Sequence, residues 1–336
     1  MSKLMSLAAA ASVLAAQSLP AAAQSLQAST WTPDKPIEIV VAAGPGGGTD
    51  IFARSVQAIV QKHQLLSVPM IVTNKGGGAG TEAFVYGKTV GNDPHKLVFG
   101  TNNQWLMPLV NKTGYKSDDL TPVAAMAVDE FLLWTHKDAP YKSPTDLIDA
   151  AKKGDGLKMA GSQSKDTDHI LTKQIEHATG AKFTYIPFKS GGEAAVQLAG
   201  GHVDSNTNNP QENVGQWKGG TVRPLCVFSP QRLVSKEKIG GDMAWADIPT
   251  CKEAGIPIES FQMPRTVWLS GKAKPEHVTF YVELMKKVRA TPEWKDWLEK
   301  GSQSDFFTAG EDFAKFVKAD ETKFREQFQR DGWLVN

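Results

Sequence analysis

From Pro36 onward the chain alternates between two rhythms. Compact apolar runs fit strands, and apolar residues recurring every three or four positions fit one face of a helix. Residues 37–41 (Ile-Glu-Ile-Val-Val) predict a strand, and Phe52, Val56, Ile59 and Val60 mark the inner face of a helix over 51–60. Further strands are predicted at 68–72, 96–100, 122–128 and 131–135, the last two with Asp129 and Glu130 between them and read as solvated. A helix over 144–151 starts at Pro144, a favoured first-turn residue. Strands at 157–160 and 183–188 and the stretch 201–206 follow, with helices over 168–178 and 193–198 between them. After Leu225-Cys226-Val227-Phe228 the pattern turns irregular from Ser229 to Asp247. A last strand, 263–269, leads into helices over 278–289, 292–300 and 311–330. Phe313, Phe316, Val317, Phe324 and Phe328 form a stripe along the final helix that reads as core.

Polar and glycine-rich segments fall at the carboxyl ends of these strands. Gly44, Pro45, Gly46, Gly47, Gly48, Thr49 and Asp50 follow the first, and 74–81, with Gly77 and Gly80, the second. Thr101 and Asn102 follow the third. Ser162 and Gln163, then Lys189 to Gly192, then Asn208, repeat the arrangement in the second half. In an open α/β sheet such ends share one edge, where ligands bind. Glycine lets backbone N–H groups approach a ligand, and a helix start adds unpaired donors and a positive dipole end. The loop at 44–50 is therefore either an anion receptor or a plain turn between strand and helix.

Two α/β units are expected, with residues 31–125 and 245–336 in the first and 126–244 in the second. Ahead of them, Met1-Ser2-Lys3, the apolar run 4–16 and Ala21-Ala22-Ala23 match a cleavable export signal spanning 1–23. Lys and Arg (37) nearly balance Asp and Glu (36), with no basic block, which argues against nucleic acid as a partner. The cysteines, Cys226 and Cys251, are expected to form a disulfide in an oxidising compartment. Gly44, Gly46 and Thr49 miss the third glycine of the dinucleotide fingerprint, and no Gly-Lys-Ser/Thr follows a glycine loop. Ser162 lacks the second glycine of a nucleophile elbow, and His169 and His177 offer only a weak metal pair. Neither an active site, a metal site nor a cofactor is expected. Lys75, Lys189 and Arg265 are the cations nearest the loops, and Arg265 suits bidentate capture of a carboxylate or an inter-domain ion pair.

The ordered set of motifs resembles the substrate-binding receptors of tripartite tricarboxylate transporters, the TctC or Bug family. The resemblance rests on Pro45-Gly46-Gly47-Gly48-Thr49-Asp50 after the first strand, Asn74-Lys75 with Gly77 and Gly80, and Gly100-Thr101-Asn102. It continues through Gly161-Ser162, Pro187-Phe188-Lys189-Ser190-Gly191, Gly201-His202-Val203-Asp204, and Asp247-Ile248-Pro249-Thr250 with Glu253 and Gly255. It implies a two-domain α/β periplasmic-binding-protein-like fold (type II), each domain a mostly parallel sheet flanked by helices. A small carboxylate would be clamped between the domains of a monomer and delivered to a membrane permease. It also implies a ligand set of Pro45, Gly46, Gly47, Thr49, Asp50, Gly77 and Gly80 on one side. Ser162, Lys189 and Asn208 would face them, with Thr101, Asn102, Gln163 and Arg265 nearby; Asp50 is equally placed to cap its helix. Three departures from the family pattern stand out: Ala43 for an aromatic, Gly76 for a proline, and Arg265 in a usually neutral stretch. The added cation favours a di-, tri- or aromatic carboxylate. The alternatives are a ligand-presenting partner of a sensor protein and an exported α/β enzyme.

Overall fold

The computed structural model describes residues 31–154 and 156–335; the expected export signal lies outside them. The first layer begins with β1 (Ile37–Val41), α1 (Gly48–Lys62), β2 (Met70–Asn74), α2 (Thr81–Thr89), β3 (Lys96–Gly100), α3 (Asn103–Val110) and β4 (Thr121–Glu130). The second contains β5 (Leu132–His136), α4 (Pro144–Lys152), β6 (Lys158–Ser162), α5 (Thr167–Thr179), β7 (Thr184–Phe188), α6 (Gly191–Ala199), β8 (Ser205–Asn208), α7 (Pro210–Lys218) and β9 (Val222–Val227). A small hairpin, β10 (Lys238–Gly240) with β11 (Met243–Ala244), follows. The chain then returns through β12 (Gln262–Leu269), α8 (Pro275–Arg289), α9 (Pro292–Gly301), β13 (Ser304–Ala309) and α10 (Gly310–Arg330).

Two mixed sheets result, ordered β13-β4-β12-β3-β1-β2 and β7-β6-β8-β5-β9. The neighbours β2-β1-β3 and β7-β6-β8 are parallel, which keeps their carboxyl ends together. β12 runs antiparallel to both β3 and β4 because β4 carries the chain out of the first sheet and β12 brings it back. The passages are Phe131 and the segment after Phe228, tied where the Phe261 amide donates to the Phe228 carbonyl (2.9 Å).

Strand alternation assigns the faces. In β1, Ile37, Ile39 and Val41 pack with Phe52, Val56, Tyr281 and Trp294, whereas Val40 faces Phe84, Trp105 and Phe313 on the other side. The aromatic stripe of α10 is core, as its period requires: Phe313, Val317, Phe324 and Phe328 are buried. Trp134, Trp217 and Trp245 meet edge-on beneath the second sheet. By packing, the stretch from Trp245 through Ile248 sits with the second sheet, although the sequence reading grouped it with the first. Cys226 and Cys251 are joined, and the bond ties this stretch to β9.

Candidate functional site

The parallel strands deliver their ends to one cleft of about 600 Å³ between the sheets. Its first wall is the loop from Ala42 to Gly47 and the start of α1. The helix begins at Gly48, three residues earlier than its apolar period suggests, with Gly47 as the capping residue. Asp50 therefore lies in the first turn, where its carboxylate accepts from the Gly46 amide (2.8 Å), Arg54 Nε (2.9 Å) and Asn74 Nδ2 (2.9 Å). Burial pushes its pKa up, but these donors prevail and hold it below the ordinary value. Asn74 Nδ2 also donates to the Ala43 carbonyl (3.1 Å), so Asp50 and Asn74 stitch the two glycine loops together. The loops touch at two of the family departures: a Cβ on Gly76 would lie 2.6 Å from the Ala43 carbonyl carbon and the Gly44 nitrogen.

Arg265, on β12, is 4% exposed and already bonded. Nε (3.1 Å) and Nη2 donate to the two oxygens of Asp129, and Nη1 donates to Thr49 Oγ1 (2.9 Å). Asp129 also accepts from Gln303. A Cβ on Gly48 would collide with the guanidinium, so glycine there admits the pair beneath α1. The expectation that Asp129 and Glu130 are solvated is corrected: β4 extends through both, and they are 2% and 0% exposed. Glu130 Oε1 accepts from Gln262 Nε2 (2.7 Å) and Ser304 Oγ (2.6 Å), while Oε2 has no partner. Burial pushes its pKa up to about 7.

The second wall consists of the starts of α5, α6 and α7. Asp166 caps α5 through the Thr167 amide (2.7 Å) and receives Asn103 Nδ2 from the opposite domain (2.9 Å). The Ser162 amide donates to Asp168 (2.5 Å), and its hydroxyl reaches Asp166 (3.3 Å). Burial, followed by the charges of Glu212 and Asp166, pushes Asp168 well above the usual carboxylate range. Burial also pushes Glu212 up to about 7; the facing Arg265 and the Asn209 amide oppose the shift, and Asp129 and Asp166 add to it. The ammonium of Lys189 is exposed and makes no ion pair among the described residues. Lys75 instead bridges to Glu82 (3.5 Å), outside the cleft.

Of the residues expected to form the site, Pro45, Gly46, Gly47, Thr49, Gly80, Thr101, Ser162, Gln163, Lys189 and Arg265 line the cleft. Asp50, Gly77, Asn102 and Asn208 do not. Asp50 is committed to the loop, and the Gly77 amide donates to Glu82 (3.3 Å). Asn102 is buried, and Asn208 Nδ2 turns to the Gly191 carbonyl and Asn213 Oδ1 (both 2.7 Å). The carboxylates Asp129, Asp166, Asp168 and Glu212 were missed. For Glu212 a signal exists in the sequence: Asn209-Pro210-Gln211-Glu212 has a capping residue, proline at the first position and an acid at the third. Asp129 has no comparable local signal. His169 stacks on Tyr185 (3.9 Å between centroids), and His177 pairs with Asp331. Burial lowers the His169 pKa to about 4.

The family model described as "Tripartite tricarboxylate transporter family receptor" (TctC) matches residues 52–332. The chain belongs to the TctC receptor family. This TctC-family chain is 27% identical over 313 residues to the UPF0065 protein in the gbd 5′ region of Cupriavidus necator, covering 93% of this chain and 90% of the relative. A TctC solute-binding protein from Polaromonas superposes with a TM-score of 0.68 at 26% identity, covering 89% of this chain and 99% of that one. The R. palustris protein Rpa4515, solved with adipate, gives a TM-score of 0.78 at 24% identity, with 90% and 99% coverage, and agrees in fold. The TctC family is one of binding receptors, so this chain binds its ligand without converting it, and membership is consistent with a periplasmic location.

Proposed function

We propose that this TctC-family receptor captures a small organic carboxylate between its two sheets and presents it to the permease subunits of a tripartite tricarboxylate transporter. It works as a monomer in the periplasm, after removal of an export signal at 1–23. One observation carries the binding reading: helix N-termini from both sheets open onto one cleft with amides to spare. Gly48 and Thr49 at the start of α1, and Gly191 and Gly192 at the start of α6, donate to no acceptor among the described residues. Such amides, at the positive end of a helix, bind carboxylates. The adipate bound by the R. palustris protein is of this chemical class. The proposed ligand contacts are those backbone amides with Ser162, Gln163 and the Lys189 ammonium.

Arg265 no longer argues for a second carboxylate, because Asp129 already occupies its fork. The test is calorimetric titration of the mature protein with short mono-, di-, tri- and aromatic carboxylates beside their neutral amides. Carboxylates are expected to bind and to raise the melting temperature by mass action. Binding by the amides alone would refute the reading. Mass spectrometry of ligand released from the native protein would then name the compound.

A further inference from the structure

The side chains lining the cleft supply four carboxyl groups, Asp129, Asp166, Asp168 and Glu212, against two cations, Lys189 and Arg265. Arg265 and Asp129 neutralise each other, and the Lys189 ammonium stands exposed. The deep part of the second wall therefore holds acceptors in excess. The Glu212 carboxyl takes the Asn209 amide and no side-chain donor among the described residues, and it faces Arg265 and Asp129 across the cleft. A Cβ on Gly191 would collide with the Glu212 carboxyl, so glycine there lets this group lie against the start of α6. Asn103, which reaches into the cleft from the opposite domain to meet Asp166, is 8% exposed, and its Oδ1 has no hydrogen-bond partner. The orientation of that amide follows from chemistry: Nδ2 contacts the Asp166 carboxylate (2.9 Å) and the Ala79 carbonyl (3.2 Å), so a flipped amide would set oxygen against two acceptors. Asp166 Oδ2 receives only the long contact from Ser162 Oγ (3.3 Å). A buried acceptor without a donor, such as Asn103 Oδ1, is costly, and a ligand that brings several N–H groups removes the deficit and adds donors to the neighbouring carboxylates.

We propose that the ligand carries, besides its carboxylate, a protonated amine or similarly donor-rich cationic nitrogen, received by Glu212, Asp166 and Asn103 Oδ1. This rests on the carboxylate reading and extends it: the amides of α1 and α6 take the carboxylate, and the acceptor wall takes the nitrogen. A zwitterion also adds no net charge to the cleft.

The experiment is calorimetry on the full mature protein with matched probes: amino acids with the nitrogen at the α or the terminal carbon, the same carboxylic acids lacking it, and the same amines lacking the carboxylate. The amino acid of at least one pair is expected to bind roughly ten- to a hundredfold tighter than its nitrogen-free partner, the range for a charged hydrogen-bonded group. Glu212→Gln, checked for an unchanged melting temperature, should reduce that preference to about threefold or less. Nitrogen-free carboxylates binding as tightly as the amino acids would overturn the proposal and leave the carboxylate reading standing. Amines binding as tightly as the amino acids, or no carboxylate of either kind binding, would overturn both. The wild-type comparison decides the matter even if the variant proves unstable.

Discussion

Replacing Arg265 by Met, Asp129 by Asn, and both together tests whether the cation of the cleft belongs to the protein or to its ligand. The pair is buried, at 4% and 2% exposure, and bidentate, with Thr49 and Gln303 completing the bonding. Removing one member of such a pair strands the other without water, which costs about 3–5 kcal/mol. Removing both strands neither, so the double variant should fall short of the summed single losses by roughly 2–4 kcal/mol. Urea unfolding measures this, followed by tryptophan fluorescence and far-ultraviolet circular dichroism together, because a two-domain chain need not unfold in one step. Coincident transitions with a large coupling energy are expected. Single losses that add within about 0.5 kcal/mol would show that the pair does not interact and that Arg265 is available to a ligand.

Glu130 is expected to set part of the pH dependence of stability. Its folded pKa, about 7, lies above its ordinary value of 4.5, so the folded state holds a proton that the unfolded chain has lost. Stability should therefore fall as pH rises from about 4.5 to 7, by roughly 3 kcal/mol for this group, and Glu130→Gln should remove that part of the slope in urea melts at several pH values. Replacing Cys226 and Cys251 by Ala should cost about 3 kcal/mol in the same assay, from the 25-residue separation they bridge. Asp50→Ala should weaken ligand binding by tenfold or so although Asp50 does not line the cleft, because it releases the Gly46 amide and Asn74; unchanged affinity in a calorimeter would show that the loop holds without it. Gly76→Pro should disturb the contact with Ala43 and Gly44 and lower the melting temperature, whereas a paired Ala43→Tyr change should not restore it, since the close approach is to backbone atoms.

The framework of the cleft was legible because its signals are local. A strand, a run of glycines and a helical period lie side by side in residues 37–60, and neighbouring parallel strands then bring their ends together. Asp129 was not legible, because what keeps it buried is distant: its partner Arg265 lies 136 positions away. Asn208 was misjudged for another reason. A polar residue at a strand end suggests a ligand contact, but its side chain supports the Gly191 carbonyl and Asn213 behind the wall. The parallel part of each sheet follows from the strand–helix alternation, whereas the antiparallel part depends on β4 and β12 passing between the sheets, which no local pattern records.

The excess of acids and the capture of an anion are compatible because of where each acid sits. Asp168 and Glu212 lie in the first turns of α5 and α7, and Asp166 caps α5, so each answers the positive end of a helix. A helix end satisfied by its own acid has little left for a ligand. Two ends depart from this. At α1 the acid turns back to the Gly46 amide, and at α6 Glu193 turns back to the Lys189 amide (3.1 Å). Gly48 and Thr49 on one sheet, and Gly191 and Gly192 on the other, thereby keep their donors free. A carboxylate bridging these two ends would bind both domains at once. The same geometry makes cleft closure depend on the ligand's carboxylate and leaves the choice among carboxylates to Glu212 and Asp166 on the second wall and to Asn103 facing them from the first.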